Sequence, residues 1–350
     1  MNVNRFPDMA GFFLAGISYQ KTDAPARGLF AIDRQQYESC LSSAPAFGIS
    51  ALFILSTCNR TEIYGFTADP ATLISVLCSA TRGSAAAFTQ LAYVKKGEAA
   101  AAHLFRVGAG LDSQLLGDYE IVGQLKQAVK VARERGFINT FLDRLVSAVL
   151  QSSKCIKNRT ALSNGAVSAA SAVIQYIKTS INSSSGQRIL IVGAGKMGSN
   201  VCKNLVNYMG ANCVVLMNRS KEKAAGIAAA LGLTYAPLKC LAEQAALADL
   251  IIVCTNAPEP VLLYSHLERS GNKLVIDLSV PANVEPAAGC LPHIKLSGID
   301  EISRLNDQTL KERMTAIPEA NAIIGSHLDS FLEWWRMREN MHTPKKMACA

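Results

Sequence analysis

An apolar run that leads into a glycine-rich turn constrains the fold of this chain more than any other feature. RILIVGAGKMG (residues 188–198) begins with a strand-like segment, and Gly193, Gly195 and Gly198 form the pattern G-x-G-x-x-G. The first glycine allows a tight turn, the second lets the backbone approach a pyrophosphate, and the third lets the helix pack closely on the strand. A strand, this turn and a helix beginning near Lys196 predict a dinucleotide site, rather than a glycine-rich turn without a ligand.

The chain around this turn alternates between strand-like and helix-length segments. CVVLMNRS, DLIIVCTNA and KLVIDLSVP are short apolar segments, each separated from the next by enough residues for a helix. This alternation is typical of a parallel, doubly wound sheet. INSSSGQ (residues 181–187), which precedes the first strand, has the small polar composition of a linker. Further along, Pro318 suits a helix start, and Ile324, Leu328, Phe331 and Trp335 recur at helical spacing as one apolar stripe.

The end of the second strand indicates which dinucleotide is bound. An NAD site usually has an acidic residue there for the ribose hydroxyls, whereas an arginine accommodates the 2′-phosphate of NADP. The chain has no acid at this place, and Arg219 lies there instead. We therefore predict NADPH rather than NADH, the alternative being that Arg219 is an ordinary surface residue. The predicted cofactor-binding residues are Gly193, Ala194, Gly195, Lys196, Met197, Gly198, Asn218, Arg219 and Ser220.

A cysteine that follows another apolar run is the first candidate for chemistry. ISALFIL (Ile49–Leu55) predicts a short buried strand, and STCNR (residues 56–60) follows it without an apolar aliphatic side chain. Cys58, two residues before Arg60, is placed as a reactive thiol at the end of a strand would be. The alternative is that Cys58 packs as a small apolar side chain, as free cysteines usually do.

A second group of polar residues lies between residues 98 and 124. EAAAAHLFRVGAG predicts a helix that contains His103, and a histidine there is more often a packed, hydrogen-bonded residue than a catalyst. Asp118 suits the N-cap of the next helix, on which Glu120 and Gln124 share one face. Together with Ser113 they offer hydrogen-bond donors and acceptors to a polar substrate, although capping and surface polarity explain each one singly.

Four blocks of sequence resemble the glutamyl-tRNA reductase family in order and spacing. They are STCNRTEIYG, HLFRVGAGLDSQLLGDYEIVGQLKQA, KNRT and VGAGKMG, and the resemblance extends over about residues 10–335. It implies an α/β fold class with three parts. These are an N-terminal α+β catalytic domain (residues 1–160), a Rossmann-type doubly wound NADP-binding domain (residues 161–300) and a shortened C-terminal helical segment (residues 301–350).

The resemblance also implies a reaction. Family members reduce glutamyl-tRNA(Glu) to glutamate-1-semialdehyde with NADPH, the first step of tetrapyrrole (porphyrin) biosynthesis from glutamate. Cys58 falls on the family's nucleophile, which forms a thioester, and His103 falls on its important histidine, as acid, base or a group that places the ester. Arg60 either favours the thiolate or binds the glutamate carboxylate. The substrate-binding residues implied are Thr57, Asn59, Arg60, Ser113, Asp118, Tyr119, Glu120 and Gln124.

The chain departs from the family pattern at three places. Asp118-Tyr119-Glu120 stands where the family usually has Glu-Pro-Gln, and Tyr19 stands where it commonly has a histidine. The family dimerises through a helical region beyond its long C-terminal helix, whereas this chain ends at Ala350. A homodimer and a monomer therefore both stay open. The downstream aminomutase is a further possible partner.

The net charge and the cysteines indicate which binding partners and which cellular environment to expect. The formal net charge is +8, and eight basic residues between residues 126 and 159 face only Glu134 and Asp143. They are either a solvated helix face or a contact for tRNA phosphates. The ten cysteines include no C-x-x-C pair or Cys/His cluster, which predicts no metal site and fits reduced thiols in the cytoplasm. No apolar run has the length of a membrane span.

The sequence leaves two rival functions open. One is a Rossmann oxidoreductase that acts on a free small molecule, with the basic residues merely solvated. The other is a non-catalytic relative that binds tRNA or a partner. Retention of Cys58, Arg60, His103 and the glycine turn argues against the second.

Overall fold

The computed structural model describes residues 9–163, 169–180, 187–209, 214–304 and 308–342. The contacts divide the chain into two compact units. The first comprises Met1–Thr22, Phe30–Gly165 and Thr309–Ala350, and the second comprises Asp23–Leu29 and Ala166–Gln308. The predicted linker INSSSGQ lies outside the described residues except for Gln187. Within the described part of the chain, no helix combines the length and the apolar character needed to cross a membrane.

The first unit is built on a four-stranded antiparallel sheet in the order β2-β3-β1-β4. The strands are β1 (Phe12–Ser18), β2 (Leu52–Ser56), β3 (Arg60–Phe66) and β4 (Tyr93–Lys96). Strand β2 begins three residues later than the run Ile49–Leu55 had predicted. Ile49 and Ala51 are nevertheless buried, because the chain enters the core before it pairs with β3.

Helices cover this sheet and complete the core of the first unit. They are α2 (Arg34–Ser43), α3 (Pro70–Cys78), α4 (Ala85–Leu91), α5 (Gly97–Gly108), α6 (Glu120–Glu134), α7 (Thr140–Arg159), α13 (Gln308–Thr315) and α14 (Ile317–His342); α1 (Ala24–Leu29) belongs to the second unit. The apolar stripe of α14 packs on its own chain. Phe331 is 1% exposed, and its ring lies 5.3 Å from that of Phe141 on α7.

The second unit has a six-stranded parallel sheet in the order β10-β9-β8-β5-β6-β7. Its strands are β5 (Ile189–Val192), β6 (Val214–Asn218), β7 (Thr234–Pro237), β8 (Leu250–Val253), β9 (Lys273–Asp277) and β10 (Ile294–Gly298). The connecting helices are α8 (Ala169–Ser180), α9 (Lys196–Met209), α10 (Lys221–Leu231), α11 (Leu241–Leu247) and α12 (Ile299–Arg304). The chain starts at the centre with β5, runs outward to β7, and returns to β8 on the other side. This Rossmann topology, which the sequence predicts, opens a ligand crevice at the carboxyl ends of β5 and β8.

A short piece of the N-terminal sequence belongs to this second unit. Arg27 on α1 is 1% exposed, and its Nη2 atom lies 2.7 Å from Asp300 Oδ1 on α12. Gly28 packs so closely on Pro281 that a Cβ atom at Gly28 would lie 2.9 Å from the proline Cβ. The second unit is therefore assembled from two separate stretches of chain.

Candidate functional site

Cys58 lies in the turn of the hairpin that joins β2 to β3. The Thr57 N–H donates to the Arg60 carbonyl over 2.8 Å and closes the turn. The Thr57 hydroxyl accepts hydrogen bonds from the N–H groups of Asn59 and Arg60 over 3.1 and 3.2 Å. Cys58 is half-buried, with its Sγ atom 3.7 Å from Asn59 Oδ1. The turn therefore places a thiol among polar groups, and Thr57 acts mainly by fixing the turn.

Arg60 points into the first unit. Its side chain is 1% exposed, and Nη1 lies 2.9 Å from Glu62 Oε1. Its Nη2 donates to the carbonyl of Asp112, in the loop that follows α5. Burial acts to lower the pKa of Arg60, but the charge of Glu62 outweighs it and holds the pKa above its usual range. These contacts give Arg60 a structural task that the sequence did not indicate.

Glu62 is the centre of this buried group, and sequence reasoning missed it. The Tyr64 hydroxyl donates to its Oε2 over 2.7 Å, Tyr93 donates to its Oε1, and His103 Nε2 lies 2.8 Å from Oε1. Burial acts to raise the pKa of Glu62, but the charge of Arg60 and the hydrogen bond from His103 hold it well below its usual range. The available signal was the spacing of Arg60, Glu62 and Tyr64, because alternate strand residues share one face.

His103 is held between two carboxylates. It lies on α5 and is 9% exposed. Its Nδ1 atom lies 3.5 Å from Asp112 Oδ2, opposite the nitrogen that contacts Glu62. Asp112 is itself held by Arg106, whose Nη2 lies 2.9 Å from Asp112 Oδ1. The histidine is thus oriented on both sides, as a packed residue is, and the tighter of its two contacts is the one to Glu62.

The loop between α5 and α6 carries Ser113 and depends on two glycines. Gly110 and Gly117 have φ values of +73° and +79°, and the Gly117 N–H donates to the Gly110 carbonyl over 2.9 Å. A Cβ atom at Gly117 would lie 1.9 Å from the carbonyl oxygen of Leu162, so only glycine fits there. Ser113 is buried, and its carbonyl accepts a hydrogen bond from the Tyr19 hydroxyl over 3.2 Å.

The start of α6 differs from the prediction. Tyr119, not Asp118, occupies the N-cap position, and its side chain makes no capping hydrogen bond. Asp118 contributes from one residue earlier, where its Oδ1 accepts the Glu120 N–H over 2.9 Å. Lys157 Nζ lies 4.1 Å from the centre of the Tyr119 ring, a cation–π distance. Glu120 and Gln124 are half-buried on α6.

The glycine turn of the second unit has the geometry that its sequence predicts. Gly193 has a φ of +114°, and a Cβ atom there would lie 2.4 Å from the Cys254 carbonyl oxygen. A Cβ atom at Gly198 would lie 1.9 Å from the Gly193 carbonyl oxygen, so the turn and α9 are in direct contact. A Cβ atom at Gly195 meets nothing within 4 Å. Open space therefore adjoins the start of α9 at Lys196, where backbone N–H groups favour a phosphate.

The three residues at the end of β6 that were predicted to bind the cofactor have different roles in the structure. Asn218 Oδ1 accepts the Ala194 N–H over 3.0 Å, and its Nδ2 donates to the Ser220 carbonyl over 3.1 Å. The Ser220 hydroxyl caps α10 by accepting the Lys223 N–H. Asn218 and Ser220 therefore hold the backbone, whereas Arg219 is exposed.

No group of three or more His, Cys, Asp or Glu side chains with metal-binding geometry occurs within the described ranges.

The eight basic residues between residues 126 and 159 lie on α6, on α7 or, for Arg135, between these helices. All eight side chains are exposed: Lys126, Lys130, Arg133, Arg135, Arg144, Lys154, Lys157 and Arg159. Three of them form ion pairs, with Glu134, Asp143 and Glu38. Lys126, Lys154 and Arg159 have no ion-pair partner among the described residues.

Comparison with known proteins adds independent information about both units. Residues 15–160 match the family described as Glutamyl-tRNAGlu reductase, N-terminal domain, and residues 175–305 match Shikimate / quinate 5-dehydrogenase. The chain is 42% identical to glutamyl-tRNA reductase 2 of Flavobacterium johnsoniae over 318 residues, which is 91% of this chain and 73% of the relative. It is 40% identical to the glutamyl-tRNA reductase of Christiangramia forsetii over 336 residues, 96% of this chain and 80% of the relative.

A solved structure agrees with these relatives. The structure of glutamyl-tRNA reductase from Methanopyrus kandleri is similar to this chain with a TM-score of 0.52 at 27% identity. The similarity covers 93% of this chain and 80% of the Methanopyrus kandleri chain.

Proposed function

The chain belongs to the glutamyl-tRNA reductase family, and we propose which of its residues carry out the family's reaction. It is an enzyme that reduces glutamyl-tRNA to glutamate-1-semialdehyde, the first step of tetrapyrrole biosynthesis from glutamate. A nicotinamide cofactor is expected in its second unit. Our proposal is that Cys58 is the nucleophile, that the cofactor is NADPH, and that the substrate is glutamyl-tRNA(Glu).

The observation that carries the proposal is the double connection between the Cys58 turn and the Ser113 loop. Arg60, at the end of the turn, donates to the Asp112 carbonyl in that loop. Tyr19 makes the second connection with two hydrogen bonds. Its N–H donates to the Asn59 carbonyl, and its hydroxyl donates to the Ser113 carbonyl. The Cys58 turn and the part of the loop at Asp112 and Ser113 are therefore connected at two points.

Cys58 performs the bond exchange in this proposal. Its thiolate attacks the carbonyl carbon of the glutamyl ester, the C–S bond of a thioester forms, and the bond to the 3′-oxygen of the tRNA breaks. A free thiol has a pKa of about 8.5, so only a few per cent is ionised at neutral pH without assistance. When bound, NADPH supplies the hydride that converts the thioester into the aldehyde and releases the thiolate.

We assign His103 to proton handling at the ester. Glu62 holds Nε2 over the shorter distance of 2.8 Å, whereas Nδ1 lies 3.5 Å from Asp112. Nδ1, which has the longer of the two carboxylate contacts, is therefore the nitrogen that we assign to proton exchange with the departing 3′-oxygen, which must leave as a hydroxyl. Arg60 and Glu62 act on the histidine and the loop, as positioning residues.

For the cofactor, we propose that the backbone around Gly195 and the start of α9 hold the pyrophosphate. Arg219 pairs with the 2′-phosphate, supported by its exposure and by the lack of an acidic residue at the end of β6. Asn218 keeps the glycine turn in place through Ala194.

For the tRNA, we propose that it contacts the exposed basic residues of α6 and α7. Lys126, Lys154 and Arg159 support this, because their charges are not neutralised by ion pairs within the described residues. A homodimer, association with the downstream aminomutase and a cytoplasmic location stay predictions. Sedimentation of the purified protein, alone and with the aminomutase, tests the first two.

A single-turnover assay with glutamyl-tRNA(Glu) and NADPH tests the proposed function. The native protein should form the semialdehyde, whereas Cys58→Ser should form none. Cys155→Ser, a change at another half-buried cysteine of the first unit, is the matched control and should keep the native rate. Semialdehyde formation by Cys58→Ser would contradict the nucleophile. NADPH oxidation that is independent of tRNA would favour a reductase of free small molecules.

A further inference from the structure

Tyr19 is the one residue whose described hydrogen bonds join the Cys58 turn directly to Ser113. It follows the last residue of β1, and its N–H donates to the Asn59 carbonyl over 2.8 Å. Its hydroxyl donates to the Ser113 carbonyl over 3.2 Å, a contact across 94 residues of sequence. Its side chain is half-buried.

The hydroxyl of Tyr19 differs in its use from other tyrosines of the first unit. Tyr64 and Tyr93 donate to the buried Glu62 carboxylate, and Tyr37 donates to the Ala128 carbonyl within the core. Tyr19 instead donates to a loop in which the backbone hydrogen bond of Ser113 itself is long. The N–H of that serine reaches the Gly110 carbonyl only over 3.4 Å. The phenol therefore helps to fix the Ser113 carbonyl, beside the bond that Arg60 donates to the preceding carbonyl of Asp112.

The two ends of the contact bear on one reaction. Asn59 neighbours the thiol, and Ser113 lies in the polar group expected to bind the glutamyl moiety. A displacement of the loop relative to the turn changes the distance between the ester carbonyl and the attacking sulfur. Small errors in that distance slow a bond-forming step strongly, because the reacting atoms must approach within about 3–3.5 Å.

We propose that Tyr19 is a positioning residue for thioester formation, which holds Ser113 in register with Cys58. This inference rests on the proposed function, because it takes Cys58 as the nucleophile. Tyr19 itself has no role in hydride transfer. Loss of its hydroxyl should therefore slow acylation of Cys58 and leave reduction of a preformed thioester unchanged.

The test compares Tyr19→Phe with the native protein in the absence of NADPH. The rate at which Cys58 becomes acylated by glutamyl-tRNA is followed in a single turnover by acid quench. Tyr19→Phe keeps the ring and removes one neutral hydrogen bond, so acylation should slow about threefold to tenfold. Tyr37→Phe loses a hydroxyl-to-carbonyl bond to Ala128 and the bond that its oxygen accepts from the Ile54 N–H, yet it should acylate at the native rate.

A double-mutant cycle separates positioning from a general structural effect. If Tyr19 acts through Ser113, then Tyr19→Phe should add little to the loss already caused by Ser113→Ala. Fully additive losses, or native acylation by Tyr19→Phe, would overturn the inference while the proposed function stands. A native protein that never acylates would overturn both together.

Discussion

Glu62 Oε1 lies 2.9 Å from Arg60 Nη1, and both side chains are buried, at 0% and 1% exposure. Removing one charge of such a pair leaves the other uncompensated in the core. Glu62→Gln should therefore lower the free energy of unfolding by about 3–5 kcal/mol. The measurement is the urea concentration at which the first unit is half unfolded. The dependence of the unfolding free energy on urea concentration should stay unchanged.

Glu38→Gln is the matched control for this change. Glu38 pairs with Arg135 over 3.1 Å and with Arg34 over 3.4 Å, but all three side chains are exposed. Its loss should cost less than about 1 kcal/mol. An equal loss of unfolding free energy in the two variants would show that the buried ion pair stabilises the protein no more than the exposed one.

Acid should remove the advantage of Glu62. The folded protein holds the pKa of Glu62 well below its ordinary value of 4.5, so the ionised form contributes stability at every pH above that value. The contribution declines as the pH falls below about 4.5 and the unfolded chain takes up the proton first. The difference in unfolding free energy between the native protein and Glu62→Gln should hence narrow from pH 5 to pH 3. A constant difference over that interval would be inconsistent with a depressed pKa.

Two glycines of the nucleotide turn should respond differently to the same substitution. A Cβ atom at Gly195 meets nothing within 4 Å, so Gly195→Ala should fold normally while its methyl group occupies the space expected for the pyrophosphate. At Gly198 the methyl group would lie 1.9 Å from the Gly193 carbonyl oxygen, so Gly198→Ala should also destabilise the second unit. Thermal melting and NADPH titration by fluorescence measure both effects. A destabilised Gly195→Ala variant would contradict the open space that we infer beside Gly195.

Arg219→Asp should reverse the preference between the two nicotinamide cofactors. The carboxylate repels the 2′-phosphate of NADPH and can bind the ribose hydroxyls of NADH. We expect the ratio of the two dissociation constants to change by about tenfold or more, as one charge-assisted contact is worth about 1.5–3 kcal/mol. Arg269→Asp, an exposed charge near the amino end of β9, is the control and should leave the ratio unaltered. An unaltered ratio in both variants would remove Arg219 from the site.

Charge reversal on α6 and α7 should weaken tRNA binding in a salt-dependent way. The variant replaces Lys126, Lys154 and Arg159 by glutamate. Each lost phosphate contact should make the negative slope of log affinity against log salt less steep, by about 0.7–0.9. Filter binding at several salt concentrations measures that slope.

The control for that experiment places three glutamates at Lys203, Lys239 and Arg269, which are exposed in the second unit. It has the same net charge, so a general electrostatic effect would affect both variants alike. Equal weakening by the two variants would mean that α6 and α7 are not the contact surface.

The architecture of the second unit was predictable from sequence, because its signals are local. Each apolar segment after the glycine turn forms a strand of a parallel sheet, and the buried stripe of α14 follows from helical spacing. Gly193 and Gly198 adopt the roles that backbone sterics assign to them. Such features depend on neighbours within a few residues.

The buried group around Glu62 was predictable only for its members on β3, because Tyr93, His103 and Asp112 reach it through tertiary contacts from β4, α5 and the loop after α5. Tyr93, His103 and Asp112 lie 31 to 50 residues beyond Glu62 in sequence, and no local pattern brings them together. The position of Asp118 shows the same limit on a smaller scale. Its side chain does accept a helix N–H, but the glycine loop shifts the cap by one residue.

The division of the chain into units has a consequence for its synthesis. The second unit needs α1 and residues up to α12, all of which have been translated before α14 exists. The first unit needs α14, because Phe331 completes the core beside Phe141. On the ribosome, the unit that begins later in the sequence can therefore finish folding first. The core of the unit that carries Cys58 stays incomplete until α14 has emerged.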